Sequence, residues 1–145
     1  MALYNNMLLA VELNEAGDRK PTQKALELTK QFGSRLSLVH AIEHISSYGA
    51  AYGVAVGADI EGMLQENAKE KMREFAKIFN VPEQDQIVKF GPARIVILEE
   101  AERINADLII IGSHGRHGIR LLLGSTANAV LHGAMCDTLA VRLKE

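Results

Sequence analysis

Short apolar runs alternate along the chain with longer stretches in which apolar residues recur at three- and four-residue steps. This alternation predicts strand–helix–strand units feeding a parallel sheet. The first run is Met-Leu-Leu-Ala-Val at 7–11. Asp18 and Pro21 mark the start of a helix with Ala25, Leu28 and Phe32 as its apolar stripe, and Gly33 ends it. A second strand follows at 36–42, then a small, glycine-rich stretch at 43–57 that holds Tyr48 and Tyr52. That stretch reads as a surface loop, either a plain connector or a cover for a ligand or partner. Asp59 is positioned to cap the next helix, whose stripe is Ile60, Leu64, Ala68, Met72, Phe75 and Phe79, and Val81-Pro82 stops it. A third strand at 86–90, a Gly91-Pro92 turn and a helix with Ala93, Ile97, Ala101 and Ile104 come next. The fourth strand, 107–111, is almost wholly apolar, as expected of a strand covered on both faces. A glycine-rich loop, a helix over 125–134 and a last strand over 138–143 complete the pattern.

Five strands and four helices predict an α/β fold: a doubly wound, five-stranded parallel sheet of order 3-2-1-4-5, Rossmann-like. Such sheets bind ligands at the carboxyl ends of strands where the winding reverses, here between the first and fourth strands. Glu12 and the glycine loop then face each other across one crevice.

Composition narrows the ligand classes. A chain of 145 residues is expected to form one domain. Its net charge of -2, without blocks of like charge, argues against nucleic acid. No apolar run approaches the about 20 residues needed to cross a bilayer, and Met-Ala-Leu-Tyr-Asn-Asn lacks the character of a secretory signal, so a cytoplasmic protein is expected. Cys136 is the sole cysteine, which excludes an intrachain disulfide, and Met135 and Leu139 near it suggest a bland, packed thiol.

The chemistry concentrates in Gly112-Ser-His-Gly115-Arg-His-Gly118 and, after Leu123, Gly124-Ser125-Thr126. Glycines let a backbone approach a ligand closely, and a helix opening beyond them offers unpaired N–H groups to an anion. The loop lacks the Gly-Lys-Ser/Thr ending of a P-loop and the Gly-x-Gly-x-x-Gly opening of a dinucleotide fold. Gly112-x-x-Gly115 followed by Gly124-Ser125, with Ala10-Val11-Glu12-Leu13, Leu38-Val39-His40-Ala41 and Ala106-Asp107-Leu108-Ile109 around it, resembles the universal stress protein family, and its A-type members most.

The resemblance implies a homodimeric stress-response protein binding ATP or a related adenine nucleotide, with or without magnesium, in a regulatory role. It would put Glu12 near the ribose and Ala41 and Ile111 beside adenine. Gly112, Ser113, His114, Gly115 and Gly118 would run along the loop, with Gly124, Ser125 and Thr126 at the phosphates. ATP-binding members carry one residue more than the eight between Gly115 and Gly124, and an aspartate in place of Glu12. A nucleotide-free dimerising factor and a weak ATPase are the alternatives, and Ser125 and Thr126 also fit a plain helix-capping role.

Other residue sets carry less. His114 and His117, with His40, His44 or His132, lack a carboxylate or cysteine at a ligand spacing, so no metal centre is expected. His40, between apolar neighbours, reads as a structural histidine. Arg116 and Arg120 fit phosphate steering, partner pairing or plain solvation. Ser113 beside His114 is not a triad, and no catalytic set stands out. The last strand, with Leu139, Val141 and Leu143 alternating against Thr138, Ala140 and Arg142, should lie at a sheet edge and pair two subunits.

Overall fold

The computed structural model describes residues 3–43, 54–113 and 124–143. Its elements are β1 (Asn6–Ala10), α1 (Glu15–Phe32), β2 (Arg35–Ile42), α2 (Val54–Lys77), a 3-10 turn (Glu83–Asp85), β3 (Gln86–Phe90), α3 (Ala93–Arg103), β4 (Leu108–Gly112), α4 (Ser125–Gly133) and β5 (Asp137–Val141). The five strands form one parallel sheet of order β3-β2-β1-β4-β5, the order that the alternation of patterns predicts.

Side chains of each strand alternate between two apolar layers, because successive residues point to opposite faces. Met7, Leu9, Val11, Leu38, Leu108 and Ile110 meet Ala25 of α1 and Met72 and Ala76 of α2 on one face. Leu8, Val39, Ile87, Ile109 and Ile111 meet Val96, Ile97 and Ala101 of α3 and Ala127 and Val130 of α4 on the other. Leu8, Leu9, Ile109 and Ile110 are wholly buried, so β1 and β4 are the rigid centre on which the crevice stands.

Two helix starts differ from the sequence expectation. α1 begins three residues before Asp18: Asn14 is its N-cap, and the Asn14 side chain accepts from Gly17 N–H at 2.7 Å. Asp18 is inside the helix and buried, and Pro21 sits buried in the second turn and not at the first position. α2 begins at Val54, so Asp59 lies within the helix and not at its N-cap, and the last residues of the expected loop are helical. Tyr48 and Tyr52 lie outside the described residues.

Gly33 does end α1, with φ 64 and its N–H bonded to the Thr29 carbonyl at 2.8 Å. Nothing stands within 4 Å of the place a Cβ would take there. Gly33→Ala is therefore expected to cost the left-handed strain alone, about 1 kcal/mol of unfolding free energy in urea melts.

Candidate functional site

The switch point lies between β1 and β4, paired at Met7 with Leu108 and Leu9 with Ile110. Past the strand ends, Val11 N–H bonds the Val39 carbonyl at 2.9 Å and Ser113 N–H the Val141 carbonyl at 2.8 Å, so both strands are held in line with their outer neighbours as they leave the sheet. Ala10, Ala41 and Ile111 belong to the apolar layer packed against α3 and α4 and stand at the carboxyl end of the sheet. His40 anchors this end: its Nδ1–H donates to the Val11 carbonyl at 2.9 Å, the structural role its setting predicts. A carbonyl only accepts, so Nδ1 carries the proton of this bond.

The glycine loop is tied at its neck. Gly124 N–H donates to the Ser113 carbonyl at 2.7 Å, which brings the loop's two ends together at the top of β4. Gly112 passes under Leu143, where a Cβ would meet a methyl at 3.1 Å, so its lack of a side chain serves packing as well as any ligand. His114, Gly115, Gly118 and the rest of 114–123 lie outside the described residues.

Gly124 is the N-cap of α4, in extended conformation, and no side chain among the described residues caps the helix. Ser125 and Thr126 thus occupy its first turn and do not cap it. The amides of Ser125, Thr126 and Ala127 precede the first intrahelical bond, Asn128 N–H to the Gly124 carbonyl at 2.9 Å. None of the three has an acceptor among the described residues. Donors at a helix start, together with the dipole, favour an anion. Ala127 escapes a reading by residue type because its contribution is a main-chain amide.

On the opposite wall Glu12 is exposed, and its carboxylate is folded back over the first turn of α1. Asp18, unremarked in the sequence beyond a helix-start signal, is the buried acid of this wall. Its Oδ1 accepts from Glu12 N–H at 2.8 Å and its Oδ2 from Asn14 N–H at 3.1 Å. Burial pushes its carboxyl up to about 6, against the pull of those backbone bonds. Cys136, half-buried near the far end of β5, has its thiol pushed up by burial and is not activated.

The universal stress protein family model matches residues 3–142 of this chain. The chain belongs to the universal stress protein family. Universal stress protein A homolog 2 of Coxiella burnetii is 57% identical to it over 97% of each chain. The solved universal stress protein UspA of Lactobacillus plantarum shares the fold at TM-score 0.76 and 20% identity, covering 98% of this chain and all of that one. A universal stress protein solved in complex with cAMP superposes at TM-score 0.62 and 18% identity, covering 99% of this chain and 100% of that one. As in other universal stress proteins, the sheet here is Rossmann-like, and no helix among the described residues is long and apolar enough to cross a membrane.

Proposed function

We propose that the crevice between the carboxyl ends of β1 and β4 binds an adenine nucleotide, ATP with or without magnesium, and that the protein uses it for regulation in the stress response and not for turnover. The observation that carries this reading is the start of α4, whose Ser125, Thr126 and Ala127 amides have no acceptor among the described residues and stand beside the tied neck of the glycine loop. A phosphate group satisfies several such donors at once. The cAMP complex of a relative with this fold supports an adenine nucleotide as the class of ligand. In this reading Glu12 serves the ribose, Ala41 and Ile111 flank adenine, and Gly112, Ser113, His114, Gly115 and Gly118 follow the loop. Gly124 shapes the neck, while Ser125 and Thr126 hold phosphate. Because the Gly124 amide is already bonded to Ser113, its part is conformational.

A second reading, a nucleotide-free dimerising factor, draws on two observations: the Ser113 and Gly124 amides are already bonded within the chain, and the Glu12 carboxylate lies against α1. Calorimetry with ATP and magnesium separates the two. Saturable heat below about 1 mM, more than about 4 kcal/mol of binding free energy, is the expected result, and no heat at millimolar ATP overturns the nucleotide reading. Phosphate release at the background rate accompanies binding without turnover.

The assembly we propose is a homodimer in the cytoplasm, paired through β5, which lies at the sheet edge next to β4. Light scattering at micromolar concentration should give twice the 15.9 kDa chain mass. A particle of the single chain's mass contradicts the dimer.

A further inference from the structure

The turn that carries Glu12 is held in a conformation its own residues disfavour. Leu13 lies at φ 63, in the left-handed region that a leucine enters only under strain. The amides on either side of it, those of Glu12 and Asn14, both donate to the Asp18 carboxylate, at 2.8 and 3.1 Å. Asp18 is 2% exposed, so water does not compete for those bonds. Beyond them, the Glu12 carboxylate lies so close over Gly17 that a Cβ there would meet Oε2 at 2.1 Å.

We propose that Asp18 is a positioning residue of the crevice: by holding both amides that flank the left-handed Leu13, it sets Glu12 against the bare face of Gly17 and so fixes how the crevice reads a ribose diol. This rests on the nucleotide reading of the crevice. A carboxylate accepts from both hydroxyls of a vicinal diol, and its grip depends on where the backbone beneath it stands. Phosphate contacts at the start of α4 come from a different element and do not depend on this turn.

The clamp is strongest while Asp18 is ionised. Protonation makes one oxygen a hydroxyl, a poorer acceptor, so the bond to one flanking amide weakens as the pH falls through about 6. The side chains of β1, β4 and β5 in the layer against α1 are apolar, namely Met7, Leu9, Val11, Leu108, Ile110, Leu139 and Val141. The charge that acts on Asp18 from its own turn is that of Glu12, which adds to the rise.

Two measurements test the proposal. In the free wild-type protein, the amide proton and nitrogen shifts of Glu12 and Asn14 should titrate together with a midpoint near pH 6, and flat shifts overturn the clamp whether or not ATP binds. Asp18→Asn offers one acceptor and one NH2 group and cannot serve both amides. It should weaken ATP about tenfold, leave 2′-deoxy-ATP unchanged and so abolish the wild type's preference for the ribose form. Equal losses for both nucleotides mean a merely structural role and overturn the proposal. A wild type that binds neither nucleotide, with amides that still titrate, overturns the nucleotide reading and with it the ribose role. The wild-type titration needs no variant, so a poorly folding Asp18→Asn does not shield the clamp.

Discussion

Gly124→Asp is expected to lower ATP affinity at least about a hundredfold, close to 3 kcal/mol, while leaving the protein as stable as before or slightly more so. The two effects separate because of where the residue sits. Gly124 is the N-cap of α4, at φ -60 and ψ 152, a conformation any residue adopts, and no side chain among the described residues caps the helix. Aspartate is among the best N-caps, and its carboxylate can accept from the first-turn amides at a gain of a few tenths to about 1 kcal/mol. Those amides are the ones assigned to phosphate, so the new carboxylate both occupies them and repels the ligand's charge. Calorimetry and urea melts on the same preparation read the two effects. Unchanged ATP affinity in a normally folded variant means the start of α4 is not the phosphate site.

The second large effect belongs to Asp18 and is one of stability. Burial raises its carboxyl from the ordinary 3.8 to about 6, so between those values the folded protein keeps a proton that the unfolded chain has lost. The folded state binds more protons across that window, so Asp18's contribution to stability is largest at low pH and falls as the pH rises through it. The change is on the order of 3 kcal/mol between pH 3 and pH 7. Asp18→Asn does not titrate, so its unfolding free energy should gain on that of the wild type by this order over the same range. It also loses one amide bond at neutral pH, which offsets part of the gain by about 1 kcal/mol. Parallel stability curves for the two proteins contradict the burial argument. A charged Asp18 at neutral pH thus trades stability for a defined turn at the crevice, as strained functional segments do.

Much of the fold is legible in the pattern of the chain, because apolar runs of strand length alternate with helical stripes from Met7 to Val141. The crossover rule for parallel strands then leaves few sheet orders, and the observed order is the one expected. Helix starts were less legible. Asn14, Asp18 and Pro21 each carry a start signal, and the choice among them depends on Asp18 finding its partners backward, at Glu12 and Asn14, inside the protein. At α2 the glycine at 57 argues for loop, yet the backbone is helical from Val54.

The crevice divides in the same way. Topology alone sets Glu12 opposite Gly112 and Gly124. The left-handed Leu13 could not be read, since leucine rarely adopts that conformation and no residue type signals it. Nor could the Ser113 to Gly124 bond, a main-chain contact that any two residues could make.

In the proposed reading, phosphate meets the start of α4 across from the end of β1. Mapping backbone amide shifts on adding ATP with magnesium tests it most directly. The largest changes are expected to cluster at Glu12, Ala41, Gly112, Ser113 and Ser125 through Ala127. Changes concentrated elsewhere, or none at these amides in millimolar ATP, would contradict it.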